Sequence, residues 1–377
     1  MNRMHELAVV GGGVIGLAVA WRAAAAGHRV TVFDPSPERA ASRVAGGMLA
    51  PVTEAWPGEE DVLALGEESL RRWPEFATRL ASDGYDPALS TAGTVVAAFD
   101  RADADTLRTV ASYLHDLGRD ADYVQARQLR RHEPGLSNAV TGGLVVPGDL
   151  AVDTRLLLDS LRMAALQRGA ALLSEEVTAV EPGEGDRIEV RTLATTRRFD
   201  RVVVAAGAWS GRLLPDLAQH IRPLKGEILR LRARPTTLPP PARTVRAMVE
   251  GEPVYLVPRA GGHDGDIVLG ATQYEAGFDT AVTARGVRRL LDAAERVFPG
   301  IAEYEVVETA AGLRAGSADN LPLLGEVGGG VYAATGHHRG GLLLAPVTAD
   351  AIAAWLAGEP VPPAVDAAHP NRVKERV

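Results

Sequence analysis

The 377-residue chain contains no cysteine, which excludes disulfides, thiolate metal sites, iron–sulfur clusters, a catalytic thiol and any cofactor tethered through sulfur. Lysine is nearly absent too. Of 40 basic residues only Lys225 and Lys374 are lysines, and no basic run could track a phosphate backbone or an anionic membrane surface. With a net charge of −8, neither nucleic acid nor a membrane is an expected partner. The histidines are scattered apart from His337 and His338, without H-E-x-x-H or comparable spacing, so no metal site is expected. The apolar stretch Leu7 to Trp21 is shorter than a membrane span and is broken by three glycines, and no small-residue cleavage pattern follows it. The cytoplasm is therefore the expected location.

What is present is enough apolar residue for a large core, 46% against 23% charged, in a chain long enough for two domains. Leu7 to Trp21, LAVVGGGVIGLAVAW, reads as a strand, a tight turn and a helix. In the spacing G-x-G-x-x-G, Gly11 permits the sharp turn, Gly13 lets backbone approach a pyrophosphate, and Gly16 lets the helix pack closely. The N–H groups and dipole at the helix start suit phosphate. Gly27 closes the helix, His28 to Phe33 forms a second strand, and Asp34 ends it where a carboxylate meets a ribose hydroxyl and disfavours NADP. NAD, FAD and a ligand-free glycine turn all remain open at this point.

The loop after Asp34 carries Ser42, Arg43, Gly46 and Gly47, which suit either a flat ligand or an ordinary loop. Glu59 to Asp83 reads as helical with a break near Pro74, Gly93 to Phe99 as a strand, and Asp103 to Leu117 as a helix. From Gly143 strands alternate with helices again, with Asp153 capping a helix to Arg168 and a buried strand running into Gly207. Arg222 to Ala233, Val254 to Arg259 and Asp266 to Thr272 follow without helices between them, the pattern of an antiparallel sheet. Thr283 caps an amphipathic helix, Glu305 to Thr309 is a strand, and Val331 to Thr335 leads through GHHRGG into a helix from Leu342. The expected architecture is α/β: a Rossmann-type dinucleotide domain from residues 1–84, 143–220 and 310–362, with a second α+β substrate domain on a largely antiparallel sheet from 85–142 and 221–309. Residues 363–377 are expected as a tail.

GGGVIG, SRVAGGMLAP, VVVAAGAWS, PLKGE, YLVPR, GATQYEAGFD, AGLRAGSADNLPLLG and ATGHHRGGLLLAP occur in one order. In these the chain resembles the D-amino-acid oxidase and sarcosine oxidase superfamily of FAD enzymes, most nearly the glycine oxidases of thiamine biosynthesis. The resemblance implies non-covalent FAD. Val14, Ile15, Asp34 and Pro35 would line its adenosine and phosphate end, with Ala41, Ser42, Gly46, Gly47 and Met48 nearer the ring and Val177 against the adenine. His337, His338, Arg339, Gly340, Gly341, Leu342 and Leu343 would wrap the flavin, N–H groups toward its pyrimidine edge.

For the substrate the family pattern points to Arg314 and Arg339, assisted by the Tyr255 hydroxyl, as partners of a small amino acid's carboxylate. A guanidinium fork suits that task because it binds bidentately and keeps its charge. The implied reaction is oxidative deamination of glycine, in which the neutral amine expels hydride to the flavin, giving imine or glyoxylate and ammonia, and O2 yields hydrogen peroxide. A link to thiazole synthase and a homotetramer are implied as well. Ala310 and Ala315 stand where the family commonly has tryptophan and proline, and Gly340 where it often has asparagine, which bears on pocket size and substrate. Oxidation of sarcosine or small D-amino acids, a quinone-linked dehydrogenase, and a non-catalytic NAD-sensing module are the alternatives. Lys225 reads either as a charge near the flavin or as a solvated strand end, and His338 either as a ligand contact or as a loop histidine.

Overall fold

A computed structural model describes residues 4–259 and 265–374. One sheet has six strands, in the order Leu323–Gly328, Val331–Thr335, Arg201–Val204, Glu6–Val10, Arg29–Phe33 and Ala171–Leu173. All neighbours are parallel except Leu323–Gly328, which pairs antiparallel at the edge. Leu7, Ala8 and Val9 in the centre have no exposure, as an unbroken apolar run predicts for a parallel strand covered on both faces. Helix Val14–Ala25 is apolar on nearly every side because it packs on this sheet and against helices Thr154–Gln167 and Ala345–Ala357.

The second sheet has nine strands. Its order is Tyr274–Glu275, Arg222–Arg232, Asp266–Gly270, Glu252–Pro258, Thr244–Val249, Thr94–Ala98, Gly142–Val146 and Asp122–Gln125, with Glu305–Gly316 also paired to Arg222–Arg232. Within it only Thr244–Val249 and Thr94–Ala98 run parallel, so the sheet is largely antiparallel, as expected. Helix Ala284–Val297 starts at Thr283, whose hydroxyl accepts the Gly286 N–H at 3.0 Å, and it presses Leu290, Ala294 and Val297 onto one face. The other face meets the C-terminal ends of the parallel strands, and a cavity lies between them.

The chain departs from its sequence pattern at particular places. Asp100, not Asp103, caps helix Arg101–Asp116: its carboxylate accepts the Asp103 N–H at 2.9 Å, and Asp103 in turn accepts the Phe99 N–H at 3.1 Å. The strand expected over Glu305–Thr309 continues to Gly316, because pairing along Arg222–Arg232 overrides the weak strand preference of AAGLRAG. The helix expected from Leu342 begins at Ala345 after the turn His338–Gly340, with Pro346 in the first turn where its missing N–H is harmless. Strands Thr244–Val249 and Leu323–Gly328 lack a legible alternation. Gly142–Val146 pairs with Thr94–Ala98 and Asp122–Gln125, so the nine-stranded sheet extends past residue 143, and the boundary drawn at 310 falls inside a continuous strand.

The expected tail is anchored. Val365 of the short helix Pro363–Asp366, and Ala368 between it and the short helix Asn371–Lys374, are buried in the main core, and the Arg372 guanidinium donates to both Asp319 oxygens at 3.0 Å. Residues 375–377 lie outside the described residues. Among those described, no helix is long and apolar enough to cross a membrane.

Candidate active site

The cavity between the sheets encloses about 710 Å³. Its nucleotide end is built by the glycine turn. Gly11 adopts φ +109°, and a Cβ there would sit 2.3 Å from the Ala205 carbonyl oxygen, so only glycine lets the first strand turn beside the strand end at Val204. A Cβ at Gly16 would sit 1.9 Å from the Gly11 oxygen; this glycine packs helix against turn and does not itself line the cavity. The Asp34 carboxylate accepts the Gly12 N–H at 3.0 Å and the Ser36 N–H at 3.0 Å, and Ser42 Oγ accepts the Val14 N–H at 3.1 Å. Burial pushes the Asp34 carboxyl up, and those two backbone bonds oppose the shift. The N–H groups of Gly13 and Ile15 have no acceptor among the described residues. Pro35, Ala41, Gly46, Gly47, Met48 and Val177 stand in the same wall.

At the opposite end are Arg314, Tyr255, Arg339, His337, His338, Gly341 and Leu342. Arg314 projects from strand Glu305–Gly316, opposite Leu224, and its Nη1 donates to the Thr272 carbonyl at 3.3 Å. A Cβ at Gly226 would fall 2.4 Å from Nη1, so that glycine makes room for the guanidinium. Burial draws the Arg314 guanidinium below its usual range, against the opposing influence of Tyr255 and Glu54. Tyr255 lies between Gly46 and Gly270, where side chains would collide with its ring, and burial raises its phenol, so it stays protonated. Arg339 is exposed at the cavity edge and makes no hydrogen bond or ion pair among the described residues.

The two histidines differ. His337 is buried with Nε2 3.0 Å from Thr348 Oγ1, and burial lowers it to about 3. His338 has φ +48°, both its ring nitrogens are buried without a partner, and burial followed by the nearby Arg339 and Arg314 charges lowers it to about 4. Both imidazoles are neutral at physiological pH. The Gly341 and Leu342 N–H groups have no acceptor among the described residues. Gly340 and Leu343 stand outside the main cavity, in the wall of an adjoining chamber of about 40 Å³, and the Leu343 carbonyl is taken by Ser69 Oγ at 2.6 Å and Trp73 Nε1 at 2.9 Å.

Lys225 is not a solvated strand end, and it does not line the cavity. Its side chain is fully buried, outside the cavity wall, with Nζ 2.6 Å from Asp279 Oδ2.

Several groups have no signal in the sequence spacing. Glu54 lines the cavity and faces Arg246 Nη2 at 3.4 Å; Arg246 Nη1 donates to the Thr53 carbonyl at 2.7 Å and to its hydroxyl at 2.9 Å; and Thr53 donates to Asp149 at 2.8 Å. Arg259, buried and lowered to about 10, donates to the Val152 carbonyl at 2.8 Å and thereby braces the loop at Gly47. A charged residue in or just after an otherwise apolar strand is a cue, as with Arg246 in TVRAMV and Arg259 after VYLVP.

A family model described as FAD dependent oxidoreductase matches residues 6–355. The chain belongs to that family. A glycine oxidase of Geobacillus kaustophilus is 31% identical over 92% of each chain, and a solved glycine oxidase from that organism superposes with TM-score 0.85 at 30% identity, covering 96% of each. A bifunctional ThiO/ThiG protein of Trichormus variabilis is 30% identical over 99% of this chain but 56% of its own length, so the chain spans little more than half of such relatives. A solved iminodiacetate oxidase from Chelativorans has TM-score 0.85 at 27% identity, covering 97% of this chain and 99% of its own.

The cavity fits the family's FAD. Its volume falls within the range of about 300–1,000 Å³ usual for cofactor sites. The glycine turn leaves no space for a side chain at Gly11, and each end of the cavity offers unpartnered N–H groups, Gly13 and Ile15 for phosphate and Gly341 and Leu342 for an electron-rich ring edge. With FAD as the cofactor, the NAD-sensing reading of the glycine turn is set aside.

Proposed function

We propose that the chain is a glycine oxidase, forming glyoxylate, ammonia and hydrogen peroxide from glycine, water and O2 in the cytoplasm. The carrying observation is one cavity end that combines the Arg314 guanidinium, the Tyr255 phenol and the Arg339 guanidinium with neutral imidazoles. When bound, FAD supplies two-electron acceptance from the amine and returns those electrons to O2. The chain's own residues bind and orient. Arg314 forms the fixed arm, because strand pairing and the Thr272 carbonyl restrain it, and its fork takes the carboxylate. Tyr255 donates its hydroxyl to the same group. Arg339, free at the cavity edge, closes over the carboxylate from outside. The helix-side residues from Gly11 to Ile15, with Asp34, Pro35 and Val177, hold the adenosine and phosphates, Gly16 lets the helix pack behind them, and Ala41, Ser42, Gly46, Gly47 and Met48 run along the remainder. Gly340 and Leu343 act indirectly, fixing the backbone that presents Gly341 and Leu342.

Relatives named glycine oxidase and ThiO/ThiG support both the substrate and a functional link to thiazole synthase in thiamine formation. The six-stranded sheet serves the cofactor and the nine-stranded sheet the substrate. By analogy with the family the assembly is a homotetramer. Anaerobic glycine should bleach the yellow holoprotein, and aerobic glycine should consume oxygen and release peroxide. Absence of bleaching with glycine, together with bleaching by another amine, refutes the substrate assignment. A second reading, oxidation of N-substituted glycines such as sarcosine, draws on the small Ala315 in the cavity wall and on the iminodiacetate oxidase neighbour.

A further inference from the structure

Among the described residues the cavity wall contains three acids. Asp34 bonds to the glycine turn and Glu176 adjoins Val177, so both stand at the nucleotide end. Glu54 stands at the other. It acts electrostatically on both Arg314 and Tyr255, and it borders the main cavity and the side chamber that His338 and Arg339 share. Its carboxylate is positioned but not saturated. The ion pair with Arg246 is 3.4 Å long and is not a hydrogen bond, while Arg246 is itself pinned by the Thr53 carbonyl and hydroxyl. Lone pairs on Glu54 therefore remain for a donor arriving in the cavity.

An amino acid brings such a donor. Once Arg314 and Tyr255 hold its carboxylate, the ammonium group is fixed a bond or two away and leaves water, which requires an anion or strong acceptors. The imidazoles are neutral, the Thr335 hydroxyl is given to the Gly207 carbonyl at 3.0 Å, and Glu59 in the side chamber is taken by Asn320 Nδ2 at 2.6 Å; the side chains of Arg314, Arg339 and Tyr255 are donors and the rest of that wall, Glu54 apart, is apolar. We propose that Glu54 receives the substrate's ammonium group and so sets which amines the site accepts. This rests on the amino-acid oxidase reading above. The same charge disfavours amines that carry a second carboxylate on nitrogen or on the side chain, by like-charge repulsion. Arg246 acts through Glu54 as a positioning residue.

The groups facing Glu54 are Arg246 and Tyr255 on neighbouring strands, Arg314 on the strand from Glu305, Asp149 in the turn beneath Thr53, His338 and Arg339 across the side chamber, and Glu59 in that chamber's wall. Of these only the Glu54 charge is removed by Glu54→Gln. An adjacent anion favours the ammonium form of the bound amine; removing it lowers the pH at which the amine loses its proton. The acid limb of kcat, which reports groups in the complex, should therefore move to lower pH by about one unit.

The test uses purified holoprotein, wild type, Glu54→Gln and Glu54→Asp. Oxygen uptake is measured against pH with glycine, sarcosine and iminodiacetate, and glycine and acetate are titrated by their effect on the cofactor's absorbance under anaerobic conditions. Glu54→Gln should raise KM for glycine roughly ten- to hundredfold, the loss expected for one charge-assisted hydrogen bond, and shift the acid limb, whereas Glu54→Asp keeps the limb in place. Acetate, which lacks the amine, should bind Glu54→Gln as well as it binds wild type. The ratio of kcat/KM for iminodiacetate to that for glycine should rise, and the sarcosine ratio should not. An unchanged limb and KM, or equal weakening of acetate and glycine, overturns the assignment. If wild type oxidises an amine other than glycine, the function proposed above fails, and the same comparison with that amine still decides Glu54. If it oxidises none, the contrast between glycine and acetate binding decides it.

Discussion

Asp149 should make the protein less stable as pH rises from about 4 toward neutrality, and replacing it should abolish that dependence. The side chain has no exposure, one oxygen accepts Thr53 Oγ1 at 2.8 Å, and the other makes no well-formed hydrogen bond, with the Thr94 hydroxyl as its nearby polar neighbour. Burial raises the carboxyl from 3.8 to about 7, with the Thr53 bond and the Arg246 charge only partly opposing. Below about pH 4 the folded and unfolded chains both hold the proton. Between there and about pH 7 the unfolded chain has released it and the folded chain has not, so each unit of rising pH favours unfolding by about 1.4 kcal/mol. Over the interval from 3.8 to about 7 this amounts to roughly 4 kcal/mol, after which the effect is constant. The asparagine side chain introduced by Asp149→Asn has nearly the same shape, can accept the Thr53 hydrogen bond and does not titrate. Urea unfolding of wild-type and Asp149→Asn holoprotein, paired at each pH from about 4 to about 9, cancels every other titrating group. The difference should start near zero and grow in the variant's favour to a plateau above neutrality. A flat difference, or one growing in favour of wild type, would mean that the carboxylate is charged throughout and paired with Arg246, and the burial argument would be refuted.

Arg314→Lys should keep FAD but lose the fork, raising KM for the amino-acid substrate roughly tenfold to a hundredfold in steady-state oxygen uptake. Arg339→Ala should also leave the flavin absorbance intact while weakening substrate binding; unchanged KM would remove it from the site. Gly16→Val places atoms where even a Cβ would lie 1.9 Å from the Gly11 oxygen, so the purified protein should carry far less flavin per chain by its absorbance ratio. His337 is held neutral down to about 3, whereas an unfolded histidine takes up a proton near 6.5, so its share of stability is present above the unfolded value and lost as pH falls. Thermal melts of His337→Gln should show a shallower acid decline than wild type.

How far the sequence carried this reading depended on how local each feature is. The glycine turn is legible because its strand, turn and helix are contiguous, with Gly16 answering to the Gly11 backbone and Gly11 to the neighbouring strand end at Ala205. Arg314 and Arg339 were legible from their family segments, but their states were not. Arg314 is fixed by a strand pairing between Arg222–Arg232 and Glu305–Gly316 that small residues did not announce, and Arg339 is exposed because the turn His338–Gly340 ends before the helix begins. Lys225 stood out by rarity alone; only the register that turns it inward, and Asp279 from a later loop, explain it as a buried pair.

The cluster of Thr53, Glu54, Asp149 and Arg246 shows where local reading ends. Its members come from three segments about a hundred residues apart, and none sits in a spacing that implies chemistry. Each would be read singly as an ordinary polar residue of a loop or strand. They meet because Arg246 and Tyr255 are opposed across adjacent strands, so the residue that pins the Thr53–Glu54 loop and the phenol proposed to meet the substrate share one sheet position. A substitution on Thr244–Val249 that shifts Arg246 should therefore alter amine selectivity without touching Arg314 or Arg339, the arginines proposed to bind the carboxylate. The proposed carboxylate-binding residues are written in short contiguous segments, whereas the proposed amine-binding cluster is assembled by topology.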